Sequence, residues 1–218
     1  DLYQLLKPCQ SLLKLTRMKQ PDLEKIVGIN NRKYCDGGQC IRLYRNFVKN
    51  NDQKTADIVM GHNEEDLLGL GRIFELLAYN KIYEGEYRPV QCTLMEQELK
   101  ITLELSTPVP ANISCGTEEF YMTANEDEAK LLVHLREGKL RQYYRNYRDY
   151  EYIPGEDTAM PKSITRYMDR SLRVAATPRT CYTWFRCDED FLQNEKKQMQ
   201  YLTHTLPVFL DSLNKVNK

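Results

Sequence analysis

The run HNEED, His62 to Asp66, sets one imidazole beside three carboxylates, Glu64, Glu65 and Asp66. Groups of these types can pass protons to and from a substrate or hold a divalent cation. The same residues have a plainer use. Asn63 reads as the cap of a helix, and Asp66 three positions on completes a variant of the capping box. The acids would then lie in a first turn, where the helix dipole favours negative charge. The sequence favours this plainer use, and it treats CDED, Cys187 to Asp190, the same way.

Other routes to chemistry are not written in the chain. His62, His134 and His204 do not pair at the spacing of a helical zinc hydrolase, and no Cys-x-x-Cys pair occurs. Neither a Walker A loop nor a G-x-G-x-x-G run is present, and neither is a G-x-S-x-G elbow or a kinase signature. Gly69 and Gly71 in GLGR follow a helical start, so they read as packing glycines that permit a close helix approach. The balance leans away from an enzyme, and no cofactor is expected.

The segment Lys139 to Pro154, KLRQYYRNYRDYEYIP, is the most unusual in composition. Leu140, Tyr143, Tyr144, Tyr147 and Tyr150 recur at helical spacing, and Arg141, Arg145 and Arg148 recur on a second face. At 100° per residue the two faces lie roughly 130° apart. A helix here would turn its tyrosines to the core and leave an arginine stripe outside. Arg141, Arg145 and Arg148 are therefore the expected contact residues for an acidic protein partner. Phosphate or single-stranded nucleic acid is the alternative ligand for the same stripe.

Seven cysteines leave at least one thiol outside any internal set of bridges. If DGGQ turns tightly, Cys35 and Cys40 face each other and a disulfide is geometrically allowed. Cys181 and Cys187, at the two ends of one strand, would lie too far apart to bond. Asn112-Ile113-Ser114 is a glycosylation sequon. A secreted domain with Cys35–Cys40 bridged and Asn112 glycosylated is thus a third reading, and a reduced, intracellular setting is slightly favoured over it.

The elements that must position these residues follow from the apolar pattern. Lys+Arg and Asp+Glu both number 31, which removes the basic excess typical of a dedicated nucleic-acid binder. No apolar run approaches the roughly 20 residues of a membrane span, and no signal peptide is visible. The chain begins at Asp1 rather than Met, which reads as a processed or excised piece. Helices are expected over 2–18 and 21–27. Two more follow: 41–49, with Leu43, Tyr44, Phe47 and Val48 inward, and one from Asn63, with an apolar stripe through Leu67, Leu70, Phe74, Leu77 and Ala78. The run ELKITLEL, 98–105, alternates strictly and reads as a half-buried strand that Pro108 and Pro110 break. Residues 88–95 and 113–122 are its expected antiparallel neighbours. A helix capped by Asn125 and stopped by Gly138 should follow, then the tyrosine–arginine helix. Residues 153–178 show too little pattern to assign. A strand at 180–187 and a final helix capped by Asp188 and kinked at Pro207 complete the chain.

These elements give an α+β fold, with helices packed on a small antiparallel sheet whose central strand is about 98–105. The chain is expected to form a single compact domain, 1–218, divisible into a helical part, 1–84, and a mixed part, 85–218. The expected function is a non-enzymatic protein-interaction domain working within a larger assembly.

Overall fold

The computed structural model describes residues 1–34 and 37–216 of the chain. The described residues up to 84 form helices and turns, and strands begin at Tyr87. Helix α1, Leu2–Leu6, ends where Pro8 removes a backbone donor, and a 3-10 turn takes over at Lys7–Cys9. The expected 2–18 helix is therefore cut short, although Leu6, Cys9 and Leu12 are buried. Helix α2, Gln20–Ile26, starts on Pro21 as its second residue, and Gly28 follows at φ 85°. Helix α3, Gly37–Asn50, buries none of its residues, so Tyr44 and Val48 face outward, against expectation.

Helix α4 runs from Gln53 to Ile73 and corrects the reading of HNEED. Its cap is Asp52, whose carboxylate accepts from Lys54 N at 3.2 Å and from Thr55 Oγ1 at 2.6 Å. Asn63 is not a cap at all. His62 to Asp66 sit in the middle of a 21-residue helix, where no first-turn dipole explains them. The apolar stripe holds only at its end: Leu67, Leu70 and Phe74 are exposed, whereas Ala78 is buried and Leu77 packs against the core beside Ile73 and Leu76. Helix α5, Ala78–Glu84, closes this part with Gly85 in the left-handed region.

The main sheet is antiparallel, in the order β1 (Tyr87–Leu94), β2 (Glu98–Gly116), β3 (Phe120–His134). Leu99, Ile101, Leu103 and Leu105 of β2 are buried as the alternation requires, and β2 is central. Pro108 and Pro110 do not end it. The strand passes through them with register shifts between Glu104 and Val109 and between Val109 and Ile113. The helix expected after Asn125 is instead β3. Its buried residues are Phe120, Met122 and Ala124, then Ala129, Leu131 and Val133. The parity changes across Glu126, whose φ is 52°, so a local irregularity disguises a period of two.

Gly138 stops no helix. With Glu137 it makes the turn of a hairpin, both at positive φ, between Arg136 and Lys139. The tyrosine–arginine segment then divides into β4 (Lys139–Tyr143), a 3-10 turn at Tyr147–Asp149 and β5 (Tyr150–Ile153). The strands β6 (Thr158–Pro161) and β7 (Val174–Ala175) flank β5, with the short helix α6 (Lys162–Thr165) between them in sequence. Strand β8, Tyr182–Arg186, pairs with β4. Asp188 caps α7, Glu189–Gln193, by accepting from Phe191 N at 3.0 Å, so CDED is a helix start as expected. Helix α8, Glu195–Val216, accommodates Pro207 and buries Leu202, Leu206, Phe209, Leu210 and Leu213.

The fold is α+β, with helices beside small antiparallel sheets. One apolar core runs from Leu6 and Leu76 through Leu103 and Leu131 to Leu210. A second cluster gathers Ala159, Ala176 and Cys181 beneath Tyr144, Tyr147, Tyr150 and Tyr152, so the tyrosines serve packing, as expected, although not from a helix.

The two glycines of GLGR separate cleanly. A Cβ on Gly69 would stand 2.0 Å from Glu24 Oε1, whereas one on Gly71 would meet nothing within 4 Å. Either alanine gains up to about 1 kcal/mol of helix propensity. At Gly69 that gain is opposed by collision with a carboxylate that Arg32 and Gln20 hold in place. Urea unfolding should therefore show Gly71→Ala stabilised and Gly69→Ala destabilised by about 1–3 kcal/mol. Shifts of the same sign in both would contradict this packing.

Candidate functional site

Segment 20–34 lies against one face of α4, and charged side chains fill the contact. Gly61 and Gly69, about two turns apart, open that face. A Cβ on Gly61 would stand 2.2 Å from Tyr34 Cζ, as one on Gly69 would meet Glu24. Into the space comes Arg32. Its Nε and Nη2 donate to the two oxygens of Glu24 at 2.9 and 2.6 Å, and its Nη1 donates to Asp66 Oδ1 at 2.6 Å. Gln20 Nε2 donates to Glu24 Oε1 at 2.9 Å and to the Asp66 carbonyl at 2.8 Å. Glu65 accepts from the backbone N–H groups of Lys33 and Tyr34 at 2.8 and 3.2 Å. Glu64 is exposed.

His62 sits one turn before Asp66, with Nε2 3.4 Å from Asp66 Oδ2. Its Nδ1 is buried without a hydrogen-bond partner. Unpaired buried polar atoms are uncommon and call for an explanation. The two carboxylates on Arg32 differ sharply in access: the Glu24 side chain is 2% exposed and that of Asp66 is 38% exposed. Burial pushes the Glu24 carboxyl up, but hydrogen bonds from Arg32 and Gln20 outweigh it and hold the group below the usual carboxylate range. The Glu24 hydrogen bonds raise the Arg32 guanidinium against its own burial, with Asp66 assisting. Glu24 is thus the buried anchor, and Asp66 is the carboxylate that solvent reaches.

Residues 1–78 match the RNase H superfamily. No curated protein and no solved structure matches the chain. The match covers 78 of 218 residues, takes in α1 to α4 and includes the whole His62–Asp66 cluster. The expectation of a non-enzymatic interaction domain is overturned by it, whereas the expectation that nucleic acid could be the ligand is compatible with it.

The stripe itself is missing because its helix is missing. Arg141 is on β4, Arg145 in the following loop and Arg148 in a 3-10 turn. Arg141 donates to Glu119 at 2.6 Å and lies over the rings of Tyr182 and Trp184 at 4.5 and 4.9 Å. Arg145 donates to the Thr203 carbonyl at 2.8 Å, and Arg148 lies 6.0 Å from the Tyr147 ring. Each has its own neighbours. Cys35 lies outside the described residues, and with it any account of Cys35–Cys40. Cys9, Cys92, Cys115, Cys181 and Cys187 are free thiols, and burial pushes the thiol of Cys181 up to about 11. Asn112 is exposed along β2. Among the described residues no helix is long and apolar enough to cross a membrane.

Nucleases commonly use divalent metal ions clamped between carboxylates. The residues described here do not fit such a group as they stand. The Arg32 guanidinium already bridges Glu24 and Asp66, and no three His, Cys, Asp or Glu side chains converge at ligand geometry among the described residues.

Proposed function

We propose that this chain takes part in phosphodiester hydrolysis of nucleic acid, with Asp66 and His62 as the reactive pair. The observation that carries this reading is the coincidence of the superfamily match with the buried charged cluster on α4. Asp66 is the accessible carboxylate and can accept a proton from an attacking water. Arg32 holds Oδ1 by a hydrogen bond and His62 Nε2 lies 3.4 Å from Oδ2, so the carboxylate sits between the two side chains before substrate arrives. Arg32 spends three of its five N–H donors on Glu24 and Asp66. The other two are free to meet the charge that grows on a phosphoryl oxygen.

Cleavage of end-labelled DNA and RNA by the purified chain tests this. His62→Gln should lower the rate at least about tenfold with an unchanged circular dichroism spectrum. The reading fails if the unaltered chain cleaves neither polymer, or if the variant cleaves at the full rate.

A further inference from the structure

Far from α4 in sequence, a cleft of about 730 Å³ opens between the β2–β3 turn, the β4–β8 pair and α8. That volume suits one small organic ligand rather than a polymer. Its wall carries Arg136, Arg141 and Arg179 against Glu118 and Glu119, an excess of one positive charge. The three arginines do not have equal duties. Arg141 is committed at the floor, bonded to Glu119 at 2.6 Å, 3.7 Å from Asp157, and stacked over Tyr182 and Trp184. Arg136 is 69% exposed at the hairpin turn, donates to Asp157 Oδ2 at 3.3 Å and lies 6.0 Å from the centre of the Trp184 ring. Arg179 is exposed, and no hydrogen bond or ion pair engages its side chain among the described residues. Arg136 and Arg179 thus both line the cleft with most of their N–H donors unspent among the described residues.

The wall beneath them is aromatic and rigid. Trp184 Nε1 donates to the Asp157 carbonyl at 2.7 Å, which fixes the indole plane. Asp157 is itself held by the hydroxyls of Tyr152 and Tyr182. Planar forks that bind phosphate in bidentate fashion, set beside a fixed ring, recognise a phosphate group joined to a flat heterocycle.

We infer that this cleft binds a nucleoside monophosphate, with Arg136 and Arg179 on the phosphate and Trp184 against the base. The site lies outside residues 1–78 and uses neither Asp66 nor His62, so it stands or falls separately from the hydrolytic reading. It also differs from a stripe of Arg141, Arg145 and Arg148, since Arg141 serves here only as the floor.

Trp184 is the sole tryptophan of the chain, so fluorescence excited selectively at tryptophan reports on the cleft without the 15 tyrosines. Adenosine 5′-monophosphate, uridine 5′-monophosphate, adenosine and inorganic phosphate are titrated in turn, each with calorimetry alongside. At least one nucleotide should change the emission and bind with Kd below about 1 mM, while adenosine and phosphate alone bind at least about tenfold more weakly. Arg179→Gln and Arg136→Gln should each weaken nucleotide binding about tenfold. Both side chains are exposed, so folding should survive either change. The inference is overturned if neither nucleotide binds in either assay, if phosphate alone binds as tightly as the nucleotides, or if both variants bind nucleotide at full affinity.

Discussion

Replacing Arg32 by methionine should destabilise the chain by about 3–5 kcal/mol, a large effect for a single change outside the apolar core. The loss comes less from the missing attraction than from what is left behind. Glu24 is buried, and without the guanidinium only Gln20 would remain on its carboxylate. A lone buried charge is costly because low-dielectric surroundings cannot replace its water. The paired change Arg32→Met with Glu24→Leu should recover much of the loss, since an ion pair replaced by apolar groups of similar volume is often close to neutral. Urea unfolding of the two single variants and the double variant measures the coupling directly. Independent, additive losses would contradict the arrangement.

The pH dependence carries a distinct sign. In the folded chain the Glu24 carboxyl titrates below its unfolded value, because bonds from Arg32 and Gln20 outweigh burial. Its contribution is then complete above the unfolded value near about 4.3 and disappears as pH falls through the lower folded value. In Arg32→Met the largest opposing cause is gone and burial dominates, so the folded value moves above the unfolded one. The stability gap between the two proteins should therefore begin to shrink as pH falls through the variant's raised value, above about 4.3, and go on shrinking until pH passes the lower folded value of the unaltered chain. A gap that stays constant from neutral pH to this range would mean that Glu24 and Arg32 are not coupled.

How far the sequence discloses this structure depends on how local the signal is. ELKITLEL alternates without interruption, and its buried face follows directly. Residues 120–134 alternate too, but Glu126 shifts the parity, and Leu131, Leu132 and Leu135 then imitate a helical face. The tyrosine–arginine segment has helical spacing only by accident of composition. Its fate is settled by the Glu137–Gly138 turn before it and by β8, a partner some 40 residues away. Asn63 and Asp66 looked like a capping box because nothing in the sequence marks Asp52 as the stronger cap, although its carboxylate bonds Lys54 N and Thr55.

The charged cluster was half legible. His62, Glu64, Glu65 and Asp66 stand out as a run, but Glu24 and Arg32 look like ordinary surface charges. Their burial is a tertiary event. One trace of it does exist in the sequence: Gly61 and Gly69 fall on one helical face two turns apart, which is where a close approach needs room. Gly69 and Gly71 look paired in GLGR, but they are two positions apart on a helix and so face different ways, whereas Gly69 shares its face with Gly61.

Asp66→Asn is the most direct test of the central claim, that the accessible carboxylate of this cluster does chemistry on phosphodiesters. Asparagine keeps the size of the side chain and can still accept from Arg32 Nη1, but it cannot take a proton from water. Its hydrolysis of labelled DNA or RNA should fall at least about 100-fold, with KM changed little and the urea midpoint close to that of the unaltered chain. Hydrolysis within about twofold of the unaltered rate, in a protein equally folded, would contradict the account and leave Asp66 as an anchor for the segment that lies across α4.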